Sequence, residues 1–303
     1  MTSSSLPSLP AAVSIRDVGP RDGLQPLEPV PVADRVRLVE ALVSAGVRRI
    51  EAAAFVSPRA VPAMAGAAEV MAAVPRSGDV TYAALVPNLR GAELALESDV
   101  DELTVTISLS ETYNQRNVHM SVAESEAVIG EICRAAGATP VDAVISCAFG
   151  SPYEGDIAPA DVIALADRLR EAGCAAVTCA DTTGMATPRR IAEVIDATGA
   201  DVGLHLHDTR GTALVCAHTA MQLGVTRFDT SVGGLGGSPF AAGATGNLAT
   251  EELVAMLDDL GVETGIDVEA LLAAADLVSE LIGRPVPSRV ALAGPRTRLA
   301  GEG

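Results

Sequence analysis

Two histidines stand two positions apart in "HLHD" (205–208). On an extended strand, residues two apart project from the same face. Paired imidazoles on one face either sit hydrogen-bonded in a core or form half of a metal site. Oxygen donors that could complete such a site are Asp22 in "RDG" and Asn247, which closes the glycine-rich stretch "VGGLGGSPFAAGATGN" (232–247). His205, His207, Asp22 and Asn247 together make a mixed nitrogen and oxygen set. That set suits a six-coordinate Mg2+ or Mn2+ with positions left for substrate better than a closed zinc site. Asn247 also precedes a helical pattern, where asparagine is a good N-cap, so its spacing permits both readings. Arg21, beside Asp22, is a cation that cannot lose its proton and suits an enolate oxygen as charge develops on it. Gln25 follows in the same loop, Glu51 lies in the second strand pattern, and Asp181 and Thr182 close the sixth. Each alone could be a structural hydrogen bonder; converging on one mouth, they make an active site.

The elements that would position them alternate regularly. Strand patterns fall at 13–18, 49–55, 80–86, 102–109, 141–149, 175–181, 202–207 and 227–232, separated by amphipathic helical runs such as 31–46 and 159–173. Glycines 46, 137, 173, 224 and 261 stand at helix C-cap positions. This repetition predicts an α/β fold, a TIM (β/α)8 barrel, with active residues at the C-terminal ends of the strands. A doubly wound open sheet would carry a nucleotide fingerprint after an early strand, where this chain has "GPRDGLQ". An extra C-terminal helix is expected over 267–283. The predicted organisation is a disordered lead-in over 1–12, one catalytic domain over 13–290 and a disordered tail over 291–303.

Composition narrows the chemistry. The chain has 303 residues, 49% of them hydrophobic but only 2% aromatic, so a core of Val, Leu, Ile and Ala is expected. A formal net charge of −18 disfavours nucleic acid as a partner. All 21 basic residues are arginine, so no side-chain Schiff base can form. Five cysteines without a CxxC pattern indicate neither a disulfide framework nor a zinc knuckle and fit a reducing cytoplasm. No apolar run has membrane-spanning length, and the N-terminus lacks a signal-peptide pattern.

The segments "VGPRDGLQ" (18–25), "FVSPRAVPAM" (55–64), "PNLRG" (87–91), "SCAFGSPYEG" (146–155), "HLHDTRG" (205–211) and "VGGLGGSPFAAGATGNLATEEL" (232–253) resemble the 3-hydroxy-3-methylglutaryl-CoA lyase family. The resemblance covers residues 13 to 290. It implies metal-dependent cleavage of a 3-hydroxy-3-alkylglutaryl-CoA to acetyl-CoA and a 3-oxoacid such as acetoacetate. It further implies that Asp22, His205, His207 and Asn247 bind the cation and that Arg21 stabilises the thioester enolate. Glu51 and Asp181 would assist proton transfer, with His205 a further acid/base candidate, and the small-molecule acyl-CoA would be bound by a homodimer or higher homo-oligomer.

One departure stands inside the glycine-rich stretch, read here as a lid over bound substrate. The family usually places a cysteine, thought to act as an acid/base, where this chain has Ser238. A serine hydroxyl is a poor proton donor or acceptor without a paired base. Cys147 and Cys179 read as buried structural thiols rather than substitutes. Ser238 therefore leaves the acyl group open: a citramalyl-CoA or longer-chain hydroxyacyl-CoA lyase, a condensing synthase, and a non-enzymatic acyl-CoA-binding barrel are the alternatives.

Overall fold

The computed structural model describes residues 9–76, 78–237 and 246–298. Eight parallel strands close a barrel in chain order. They are β1 (Ser14–Asp17), β2 (Arg49–Ala54), β3 (Thr81–Leu85), β4 (Glu102–Ser108), β5 (Val141–Ser146), β6 (Ala176–Ala180), β7 (Gly203–His205) and β8 (Arg227–Thr230). Each lies inside its expected pattern. Apolar side chains on the outward strand face, such as Leu103, Val105, Ile107, Ala143 and Ile145, are buried because helices cover the outside. The helices are α1 (Val32–Ser44), α2 (Ala67–Ala73), α3 (Leu89–Leu96), α4 (Glu111–Val118), α5 (Val122–Ala136), α6 (Pro159–Glu171), α7 (Pro188–Thr198), α8 (Ala213–Gln222), α9 (Thr250–Leu260), α10 (Val268–Ile282) and α11 (Arg289–Ala293).

The expected extra helix is α10, which packs against α1. Asp267 caps its N-terminus by accepting from the Ala270 amide at 2.9 Å. At the other end, Gly283 takes the left-handed conformation that stops the helix.

The described residues near both ends are tied down further than their composition suggests. Residues 11–13 run beside Glu263, whose amide donates to the Ala11 carbonyl at 2.9 Å and whose carbonyl accepts from Val13 at 3.0 Å. Beyond residue 290, α11 continues to Ala293, with Ser288 as its cap. Arg296 and Arg298 then pair with Asp259 and Glu269. Backbone bridges and ion pairs to distant residues carry no local periodicity, so neither attachment has a sequence signature.

Two buried carboxyls anchor the loop that leaves β8. Asp17 accepts from Gly19 N at 2.7 Å, Val232 N at 3.0 Å and Thr250 Oγ1 at 2.6 Å. Glu251 accepts from Gly233 N at 3.0 Å and 3.1 Å. Burial, the largest influence, pushes Asp17 up to about 6 and Glu251 up to about 7. Both folded-state values lie above the ordinary carboxyl range, so the folded state holds more protons than the unfolded one between about pH 4 and 7. Their contribution to stability is therefore largest in acid and falls as pH rises through that window. Glu251→Gln, which keeps an acceptor for Gly233 but cannot ionise, is expected to flatten the decline of Tm between pH 5 and 8. An unchanged slope in thermal melts would contradict this.

Candidate active site

The β1 strand runs into a tight turn of π-helical form over Gly19–Gly23, which carries "GPRDG". The turn brings Arg21 and Asp22 to the C-terminal mouth of the barrel. His205 ends β7. His207 lies just beyond and pairs with Asn247 as an isolated antiparallel bridge. The two-residue spacing does put both imidazoles on one face: their Nε2 atoms are 3.2 Å apart. Asp22 Oδ2 lies 3.9 Å from His205 Nε2. The ligand atoms of Asp22, His205 and His207 all fall within 4.8 Å of one another.

Asn247 joins this group and is not a helix cap; α9 starts three residues later at Thr250, with Ala249 at the cap position. Its Nδ2 donates to Asp22 Oδ2 at 2.7 Å and to the Leu235 carbonyl at 2.9 Å. Its Oδ1 is buried with no hydrogen-bond partner. A buried acceptor left unpaired costs about 1–3 kcal/mol, and a cation held among these side chains would satisfy it. The Nε2 separation also matches neighbouring ligands about 3 Å apart around an ion bound at ~2.1 Å. The donor set thus fits a divalent cation on its own geometry.

Gly236 shows how closely the glycine-rich stretch approaches these groups. Its φ is +119°, and a Cβ there would lie 2.4 Å from Asn247 Nδ2 and 3.2 Å from Asp22 Oδ2. Gly236→Ala is therefore expected to displace Asn247 and weaken cation binding at least ~10-fold, the lower end of the losses seen when groups supporting a ligand are removed. Titration calorimetry reads this directly; parental affinity would refute it. Ser238 and residues 239–245, on which the lid reading and the cysteine replacement rest, lie outside the described residues.

Beside the cluster, a cavity of about 200 Å3 opens, lined by Arg21, Asp22, Gln25, Glu51, Thr182, His205 and His207 among others. Arg21 is 7% exposed and is held by two carboxylates. Its Nε donates to Glu51 Oε2 at 2.5 Å and its terminal nitrogen to Asp22 Oδ1 at 2.6 Å. Burial alone would raise Asp22, but Arg21 and then His205 and His207 outweigh it and hold the carboxyl at about 2. Glu51 is fully buried, and its second oxygen, Oε1, has no partner. Thr182 faces the cavity while its Oγ1 accepts from Cys147 N at 3.2 Å.

Asp181 does not line this cavity. One of its oxygens accepts from the amides of Met185 at 2.6 Å and Ala186 at 2.9 Å, which ties the loop after β6. Strand alternation explains the difference: Thr182 points into the mouth and its neighbour points away. Burial pushes Asp181 up to about 7 despite those amides. Neither Cys147 nor Cys179 lines the cavity either; both are buried, and burial pushes each up to about 12.

Residues that reasoning from the sequence did not single out lie deeper. Arg16 of β1 and Asp229 of β8 border the cavity from inside the barrel. Asp229 Oδ2 lies 3.2 Å from His205 Nδ1. Burial would raise Asp229, but Arg16 and His205 together hold it far below the usual carboxylate range. Their available signal was a charge in the middle of an otherwise apolar strand. From α4, Tyr113, Asn117 and Val118 close one side of the cavity; they belong to a helix and had no strand-end signal.

Comparison with known proteins shows the family. Residues 12–278 match the model of the HMGL-like family. The hydroxymethylglutaryl-CoA lyase of Bacillus subtilis is 43% identical over 289 residues, covering 92% of this chain and 96% of the relative. The 3-hydroxy-3-isohexenylglutaryl-CoA/hydroxymethylglutaryl-CoA lyase of Pseudomonas aeruginosa is 42% identical, covering 94% of this chain and 98% of the relative. Among solved structures, an HMG-CoA lyase from Acinetobacter baumannii in complex with coenzyme A and 3-methylmalate superposes with a TM-score of 0.91 at 38% identity, covering 95% of this chain and 97% of that one. With its barrel closed, its candidate ligands clustered and residues 12–278 matched by the family model, the chain belongs to the HMGL-like family.

Proposed function

We propose that the protein is a divalent-metal-dependent carbon–carbon lyase acting on 3-hydroxy-3-methylglutaryl-CoA or a close 3-hydroxy-3-alkyl homologue. The observation that carries this reading is the Asp22, His205, His207 and Asn247 cluster set against Arg21 in one cavity. The full-length similarity to lyases of this substrate supports the acyl-CoA class, and no helix among the described residues is long and apolar enough to cross a membrane.

In the reaction, the 3-hydroxyl loses its proton, the bond between C2 and C3 breaks, and its electron pair passes to C2. C3 becomes the ketone of acetoacetate, and C2 takes a proton to complete acetyl-CoA. Mg2+ or Mn2+ held by the four ligands would supply a Lewis acid for the hydroxyl and carboxylate oxygens. Arg21 stands ready for the thioester oxygen as charge develops there, pre-oriented by Glu51 and Asp22 so that little reorganisation is needed. Glu51, with an unpartnered oxygen at the cavity, is better placed to take the hydroxyl proton than Asp181, which points away. His205 is a poor acid/base choice, since Nδ1 faces Asp229 and Nε2 faces the ligand cluster. Gln25 and Thr182 line the cavity as substrate-orienting groups.

We further infer a homo-oligomer in a reducing cytoplasm; the five free cysteines fit the latter. The test of the function is acetyl-CoA release by the purified protein, with and without Mg2+ or Mn2+, beside Ser238→Cys. Substrates are 3-hydroxy-3-methylglutaryl-CoA, longer 3-alkyl homologues and citramalyl-CoA. Metal-dependent release from the first supports the reading as stated. Release from another member of the panel moves the acyl specificity. Metal binding without release from any of them overturns the lyase assignment.

A further inference from the structure

Arg16 is 3% exposed, with its guanidinium inside the barrel. Its Nε and one terminal nitrogen donate to the two oxygens of Asp229, each at 2.8 Å. The other terminal nitrogen donates to Glu102 of β4 at 2.7 Å. Asp142 of β5 lies 2.8 Å from the nitrogen that also serves Asp229. Carboxylates therefore surround the guanidinium, and it has little left to offer a substrate although it borders the cavity.

The strand register gives this arrangement a direction. Arg16 stands opposite Asp229 across β1 and β8, and Asp229 stands opposite His205 across β8 and β7. The three residues thus share one level of the barrel wall. Asp229 Oδ2, gripped by Arg16, faces His205 Nδ1 at 3.2 Å, while His205 Nε2 faces Asp22 and His207.

We propose that Arg16 is a positioning residue of the metal centre: through Asp229 it sets the orientation of the His205 ring and aims Nε2 at the cation. A carboxylate on one ring nitrogen fixes which nitrogen carries the proton and which carries the lone pair. A carboxylate free to rotate does this poorly; a two-pronged guanidinium grip removes the rotation. Glu102 and Asp142 neutralise the guanidinium from β4 and β5, and its two-pronged contact with Asp229 sets the angle of the imidazole. A lysine would supply the charge without the planar fork. The inference rests on the metal-dependent reading above.

Because Arg16 also neutralises buried acids, the test separates aim from stability. Mn2+ affinity by titration calorimetry and Tm of the metal-free protein are measured for the parent, Arg16→Lys, Asp229→Asn, their double variant and Glu102→Gln. Arg16→Lys and Asp229→Asn are each expected to bind Mn2+ about 10–100-fold more weakly. The double variant should be no weaker than the poorer single one, because both act through the same ring. Saturating Mn2+ should restore most of kcat to Arg16→Lys. Glu102→Gln weakens the contact at the terminal nitrogen that Asp229 does not use, so it should lower Tm and leave the affinity at the parental value.

A folded Arg16→Lys protein with parental Mn2+ affinity overturns the proposal. So does a Glu102→Gln variant that loses as much affinity as Arg16→Lys, since the effect would then be general disruption. If Arg16→Lys does not fold, Arg16→Met combined with Glu102→Gln and Asp142→Asn removes the cation together with two of its acids. Weakened binding in that variant supports the proposal and parental binding refutes it. A parent that binds no Mn2+ would overturn the proposed function itself, and this inference with it.

Discussion

His207→Ala is expected to lose Mg2+ and Mn2+ binding and to abolish metal-dependent cleavage while keeping the fold. His207 is the cleaner of the two histidines to remove, because His205 also contacts Asp229. The lost imidazole nitrogen lies 3.2 Å from that of His205, at the centre of the cluster. Removing groups that merely support a metal ligand costs about 10–100-fold in affinity, so removing a ligand should exceed that range. The Lewis acid contributes several kcal/mol to such a reaction, so at least ~10³-fold in rate should go with it. Calorimetry and acetyl-CoA release check the two arms. Retention of parental affinity would remove His207 from the site, and loss of the folded transition in a thermal melt would show a structural role instead.

Arg21→Gln is expected to have the opposite signature. Cleavage should fall by roughly 10²–10³-fold or more, the usual loss when a preorganised donor to a developing oxyanion is removed. Metal affinity should not fall with it. Arg21 is the leading favourable charge on Asp22, which it reaches at 2.6 Å. Without that competing cation, Asp22 should hold a divalent ion at least as tightly as in the parent. Arg21→Lys should recover little, since a point charge cannot hold Glu51 and Asp22 in the fork geometry at once. Binding that weakens together with the rate would show that Arg21 builds the metal site rather than acting on substrate.

The residues behind this contrast carry signals in the sequence itself. Asp22 and Arg21 were legible because a strand end followed by "GPRDG" marks a turn at the barrel mouth. His205 and His207 were legible because strand geometry makes residues two apart share a face. Asp181 also closes a strand pattern, but its carboxylate accepts from the amides of Met185 and Ala186 instead of lining the cavity. Asn247 was ambiguous because one side chain type serves both caps and metals, and only the position of α9 at Thr250 separates the readings. Arg16, Glu102, Asp142 and Asp229 were missed because they sit inside strands, where isolated charges look like interruptions of an apolar pattern.

By itself, the sequence determined the number and order of the strands, the parallel barrel and the end of it that carries chemistry, because these follow from hydrophobic periodicity and cap residues read locally. It also singled out four candidate ligands and, with no lysine, leaves no side-chain amine for a Schiff base. Only the tertiary structure decided which charges meet. Arg16 and Asp229 are 213 positions apart yet 2.8 Å from one another, and Asn247 reaches Asp22 across 225 positions. Those contacts depend on closing β8 against β1 in one register among several with similar local patterns. Closure is a property of the whole barrel, and a shift of one residue between β1 and β8 would take Arg16 out of register with Asp229.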